Sequence, residues 1–182
     1  SMDRLGEYFA GDQGVDARAT LIDLADDARR YEAAFEEMLI AREAFSGALA
    51  PMVPLARTGG EAIDSLFEMA ANLREFGLMR LAAVAQRDFL LARNHTTKFI
   101  ERDDLSEFEV AQSRLTGAMD ALAEVGGRWS GSIQAETAAK ALAAISDYAI
   151  RLETLAGEAA RLRGLNEDVL NVLGPEMQRG YE

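Results

Sequence analysis

Cysteine is absent from this chain, which excludes disulfides and thiolate chemistry and suits an oxidising compartment. Histidine occurs once, at His95. Glycine-rich phosphate loops following a strand are missing, as is the nucleophile motif G-x-S-x-G. A carboxylate di-iron centre in a helical bundle needs two Glu-x-x-His motifs. Here Ala92-Arg93-Asn94 precedes His95, and no second histidine exists. We therefore expect no metal, no cofactor and no catalysis, and we read His95 as a capping or surface residue. Long apolar runs are lacking too, so no segment reads as a membrane span or a signal peptide. Ser1-Met2 reads as a vector-derived start, and the natural protein is expected to extend beyond both ends.

Positive charge is scarce. Nineteen basic residues face 31 acidic ones, giving a net charge of −12 and a pI near 4.6. Such a field repels polyanions, and no basic face offsets it, so nucleic acid is not an expected partner. Anionic membrane surfaces are disfavoured for the same reason, so no membrane contact is expected of this fragment.

What is present favours helix. There are 182 residues, 49% of them hydrophobic, enough for one domain with a sizeable core. Three prolines sit among abundant Ala, Leu, Glu and Arg. Spacings alternating between three and four predict helices near 16–50, 61–98, 104–125 and 133–173. The central one, Ala62 to Lys98, carries the seam Ile63, Leu66, Ala70, Leu73, Gly77, Arg80, Val84, Arg87 and Leu91. Pro51 and Pro54 are expected to break or kink the first helix, and Arg57-Thr58-Gly59-Gly60 to form the turn after it. Asp103 or Asp104 suits an N-cap, with Glu107 placed for a capping box. Gly126 to Ser132 reads as the next turn, with Ser130 or Ser132 as a cap and Trp129 as a plug at the bundle end. Gly174-Pro175 ends the last helix. Short connections make neighbours antiparallel, so the expected fold is all-α, an antiparallel up-down four-helix bundle with long helices. Residues 15–175 are assigned to it, 1–14 to a tail or short helix, and 176–182 to a tail.

Three arginines occupy positions where the seams call for apolar residues: Arg42 on the first helix, and Arg80 and Arg87 one heptad apart on the second. A guanidinium facing a bundle interior needs an anionic partner. One reading pairs each with an acidic residue of the bundle. The other makes them a pocket for a small carboxylate, gripped bidentately, with Gln112 and Tyr148 as neutral donors.

The stretch Arg80-Leu81-Ala82-Ala83-Val84-Ala85-Gln86-Arg87-Asp88-Phe89-Leu90-Leu91-Ala92-Arg93-Asn94 looks like the end of a sensor helix in bacterial chemoreceptors and sensor kinases. Tyr31-Glu32-Ala33-Ala34-Phe35 is similar to the helical bimodular pattern, and Gly6 to Asp12 resembles a faint copy of Arg87 to Asn94. The chain as a whole resembles the four-helix and helical bimodular ligand-binding regions of methyl-accepting chemotaxis proteins. Roughly twenty residues separate Tyr8-Phe9 from Tyr31, fewer than the bimodular pattern needs, so a truncated variant is as compatible as a bimodular one. The resemblance implies an extracytoplasmic sensor domain of a receptor held in the inner membrane, facing the periplasm. It also implies a small ligand such as an organic acid or amino acid. We expect a weak homodimer. The alternative from another class is a helical protein–protein interaction module with no small-molecule ligand.

Overall fold

The computed structural model describes the backbone of residues 12–170 and the side chains of residues 22–167. Helix makes up 93% of it, with no strand among the described residues. In order these are α1 (Asp12–Leu49), α2 (Met52–Leu73), α3 (Phe76–Arg102), α4 (Leu105–Arg128) and α5 (Ile133–Gly164), followed by a π-helical segment (Leu165–Leu170). Two compact units divide the chain: Ala44–Ala159, and Ser1–Glu43 with Ala160–Glu182. The tail expected after residue 175, the stop at Gly174-Pro175 and most of the stretch before residue 15 lie outside the described residues.

The unit Ala44–Ala159 is an all-α four-helix bundle, the class expected, but its members are α2 to α5 and not the expected set that began with the helix near 16–50. Two-residue links, 74–75 and 103–104, join α2 to α3 and α3 to α4, and residues 129–132 join α4 to α5. Links this short turn each helix back along its predecessor. The core is built from Ile63, Leu66, Leu78, Phe89, Phe99, Leu115, Leu122, Val125, Ile145, Leu152 and Leu155, all under 2% exposed. Between these stand buried alanines, among them Ala56, Ala70, Ala82, Ala85 and Ala118, which let the helix axes approach closely.

Several boundaries fall where the periodicity places them. Asp104 caps α4, its carboxylate accepting from the Ser106 backbone N–H at 2.9 Å. Ser132 caps α5 by accepting from the Ala135 N–H at 3.3 Å. Trp129 packs against the core at that turn, with the Arg128 guanidinium 5.5 Å from its ring centre.

Two expectations are corrected. The residues Arg57 to Gly60 do not turn. The chain breaks at Ala50-Pro51 and α2 starts at once, with Pro54 in its first turn, where a missing N–H leaves no helical bond unmade. Gly59 is a packing glycine: a Cβ there would stand 3.2 Å from Phe89 Cε1 and 3.3 Å from Ile145 Cγ1.

The helix expected from Ala62 to Lys98 is two helices. Arg74 takes a left-handed conformation, φ 58° and ψ 33°, and closes α2 by donating its N–H to Ala71 O while Glu75 N–H bonds Ala70 O. The seam holds through Ile63, Leu66 and Ala70, then restarts one position later. The buried residues of α3 are Leu78, Leu81, Ala82, Ala85, Asp88, Phe89, Ala92, Thr96 and Phe99, so the interior holds Leu81 and Asp88 where Arg80 and Arg87 were expected.

In the other unit, α1 buries Ala34 and Ala41 and leaves Tyr31, Phe35 and Leu39 at 37%, 44% and 51% exposed. Its seam also runs one residue off the expected line, which leaves Arg42 exposed. Arg161 reaches Glu37 at 3.6 Å within this unit.

Candidate ligand-binding cavity

Four of the five candidate residues lie in the unit Ala44–Ala159, and they are not brought together there; Arg42 belongs to the other unit. Arg80 is exposed on α3 and makes no ion pair among the described residues. Arg87, also exposed, turns its fork onto its own neighbour: Nε donates to Asp88 Oδ1 and Nη2 to Asp88 Oδ2, both at 3.0 Å. Gln112 donates to Glu153 at 3.3 Å across α4 and α5. Tyr148, on α5, is buried and meets Phe89 edge-on, with ring centres 5.7 Å apart.

Asp88 is the charged side chain that α3 buries, at 5% exposed. Arg114 of α4 adds a third bond, Nη1 to Oδ1 at 3.2 Å. The hydrogen bond from Arg87 holds this carboxyl below the usual carboxylate range, against the upward push of burial. Room for it comes from Gly117, where a Cβ would stand 2.9 Å from Oδ2. Asp88 therefore ties α3 to α4.

A second polar contact closes the far end of the same helix pair. His95 Nδ1 pairs with Glu107, and Lys98 Nζ lies 3.7 Å from the other Glu107 oxygen. The hydrogen bond from His95 lowers the Glu107 pKa, against burial. Glu107 thus faces α3 instead of closing the expected capping box, and His95 is a partner across helices.

Tyr148 opens onto a cavity of about 430 Å³. Its walls come from Leu49 at the end of α1, Met52, Val53 and Ala56 in the first turns of α2, and Leu90 and Ile100 of α3. The polar groups are Arg93, Asn94, Thr96 and Thr97, all on α3, and Tyr148. The break at Pro51 positions this site, because α2 begins anew there and presents Met52 and Ala56 to α3.

Thr96 is 2% exposed, and its hydroxyl has no hydrogen-bond partner. An unpaired buried hydroxyl costs free energy, about 1–3 kcal/mol by mutational measures. Burial raises the pKa of the Tyr148 phenol, keeping it neutral. The nearby Thr96 hydroxyl and the Arg93 charge oppose that shift, although phenol and hydroxyl do not meet in hydrogen-bonding geometry. The Thr97 hydroxyl donates to Arg93 O at 3.1 Å, leaving its lone pairs as acceptors. Apolar walls with a few convergent polar groups, one of them unsatisfied, are the make-up of a small-molecule site.

Arg93 and Thr96 were not picked out by the periodicity. Their signal was present but displaced: with the seam moved one position, Thr96 joins Phe89, Ala92 and Phe99 as an inward-facing residue. Two further cavities, of about 340 and 350 Å³, lie beside Pro54 and Arg151 and beside Gln112 and Glu153. Gln112 and Tyr148 thus line different cavities, and neither Arg80 nor Arg87 lines any of the three.

The fold and cavity define a helical bundle with a pocket that opens to its surface. No family model matches the chain, and no curated protein matches it. No helix among the described residues is long and apolar enough to cross a membrane. No group of three or more metal-ligating side chains occurs among them.

Proposed function

We propose that this chain is a non-catalytic sensor domain that takes a small molecule into the cavity between α2, α3 and α5. In this reading it is the periplasmic, ligand-binding region of a chemoreceptor-type protein anchored in the inner membrane, and it works as a weak homodimer. The observation that carries the binding step is the cavity of about 430 Å³, whose lining includes Thr96, a residue with a buried hydroxyl left without a partner. A ligand that supplies that partner recovers the cost of burying it. The likeness of Arg80 to Asn94 to a sensor helix supports the receptor setting. So does the position of the cavity, which touches Leu49 and Met52 on either side of the Ala50-Pro51 break. A bound molecule there favours one geometry of that break over others, and a preference of that kind is what a transmitted helix shift needs.

The experiment is a thermal-shift screen of organic acids, amino acids and amines on the chain and on its Val53→Trp variant. Val53 lines the cavity and is 75% exposed, so an indole there blocks the mouth without entering the core. A ligand at 100 times its dissociation constant stabilises by about 2.7 kcal/mol, a shift easily read. The expected result is a stabilising compound whose effect the variant loses. Stabilisation equal in both proteins refutes the cavity as the site.

A second reading, a helical interaction module, has its own observation. Phe76 is 79% exposed, Leu73 56% and Ile133 60%, and all three adjoin the turns at one end of the bundle. If that end binds a protein, Phe76→Ser abolishes the association and leaves small-molecule shifts untouched.

A further inference from the structure

The cavity also has a polarity, and this inference rests on its being the binding site. Its lining includes one cation and no carboxylate, in a chain with 31 acidic residues. The cation is Arg93, exposed at the rim and without an ion-pair partner among the described residues. Arg57, Arg87, Arg114, Arg128 and Arg161 find carboxylates, whereas Arg93, like Arg80 and Arg151, has no ion pair among the described residues; what distinguishes Arg93 is a cavity lining without a carboxylate, while that of Arg151 includes Asp147. A guanidinium presents a planar fork of donors, and its natural complement is a carboxylate or similar oxyanion.

Deeper in, the groups are neutral. Thr96 lies three residues beyond Arg93 on α3, about 4.5 Å along the axis, and it is buried where Arg93 is exposed. The lining also includes Leu49, Met52, Val53 and Leu90, which offer only apolar contact, Val53 and Leu90 on the exposed side with Arg93 and Met52 on the buried side with Thr96. A ligand suited to all three sets of groups has an anionic head, an apolar body and a neutral hydrogen-bonding group at the far end.

We propose that the cavity binds a monocarboxylate with an apolar body and a distal hydroxyl or carbonyl, its carboxylate on Arg93 and its distal group on the Thr96 hydroxyl. The Arg93 charge favours the anion over an equally shaped cation. The Thr96 contact favours the hydroxylated form over the plain one, because only the former fills the orphaned bond.

Three probes of one shape separate these terms: 4-hydroxyphenylacetate, phenylacetate and tyramine, titrated calorimetrically. The acid with the hydroxyl is expected to bind best, phenylacetate about tenfold more weakly, and tyramine not measurably. Thr96→Val is isosteric and removes an unsatisfied hydroxyl, so the bundle stays folded. It should erase the difference between the two acids and leave phenylacetate unchanged. Arg93→Gln, at an exposed position, should weaken both acids by the same factor.

Tyramine binding as well as the acids, with Val53→Trp abolishing it, overturns the anion assignment while leaving the cavity as the site. Retention of the acids' difference in Thr96→Val overturns the distal contact. Failure of all three probes to bind overturns the proposed ligand class, while the cavity itself still stands or falls on the Val53→Trp comparison with the wider screen. Acids that bind equally to the Val53→Trp variant overturn both.

Discussion

Gly59 and Gly60 are neighbours in the interior of α2, and the structure assigns their substitution opposite consequences. A Cβ at Gly60 meets nothing within 4 Å. Gly60→Ala therefore gains the helical preference of alanine over glycine, about 1 kcal/mol, with nothing to set against it. At Gly59 the same Cβ stands 3.2 and 3.4 Å from two atoms of the Phe89 ring and 3.3 Å from Ile145. Phe89 and Ile145 are both fully buried, and Phe89 is held edge-on by Tyr148, so neither retreats without disturbing a third side chain. Overpacking a filled core costs about 1–3 kcal/mol, which cancels or exceeds the propensity gain. We expect Gly59→Ala to lie about 1–3 kcal/mol below Gly60→Ala. Gly59→Val, whose added methyl groups enter the same contact, should fall below the parent protein. Urea unfolding followed by circular dichroism reads all three from the midpoint, provided the slopes agree. A Gly59→Val midpoint at or above that of the parent protein would show that α2 and α3 are not in contact at this residue.

Arg74 and Asp103 both hold left-handed conformations, with φ of 58° and 52°. Arg74→Gly relieves that strain and should raise stability by about 0.5–1 kcal/mol in the same assay, and a loss would place the break elsewhere. Asp88, Asp104 and Glu107 have folded-state pKa values below their ordinary ones, so their stabilisation is complete above the unfolded values near 4 and is lost as pH falls through the lowered ones. Stability should therefore fall from about pH 4 downward, and Asp88→Asn should flatten that acid limb; an unchanged limb would show that its ion pairs do not form in solution. Because Asp88 is buried and takes three charged hydrogen bonds, Asp88→Asn should also cost about 1.5–3 kcal/mol at neutral pH, measured by urea unfolding.

Periodicity made the helical class and three of the link positions legible, because an apolar stripe at helical spacing faces one side only when the backbone is a helix. Caps were legible where the side chain makes the bond, as at Asp104 and Ser132. The α2–α3 break was not, since it is written in neither proline nor glycine: the left-handed residue is an arginine, and the nearest glycine, Gly77, lies inside α3. Carrying the heptad across that hidden break displaced every later position by one. Arg80 and Arg87 consequently took the places of Leu81 and Asp88, and Thr96 stayed out of view. Gly59-Gly60 misled in the other direction, because a glycine chosen for close approach of an aromatic ring is spelled like one chosen for a turn. Tyr148 was picked as a donor and does line the cavity, but its companions there, Arg93 and Thr96, come from a register visible only once the break is known.

The carboxylate of Asp88 seated over Gly117 gives the α3–α4 pair a detent. A shift of about 1.5 Å along the α4 axis would carry the bare Gly117 backbone out from under the carboxylate, which has room only over that notch. Rotation about the α4 axis meets the same obstacle, since it too carries the bare Gly117 backbone out from under Oδ2. Sliding is thereby opposed in this helix pair, as it is between α2 and α3 where the Phe89 ring lies against Gly59. Within the unit Ala44–Ala159, α3 and α4 accordingly behave as a two-helix block, held in register by one carboxylate over one bare glycine.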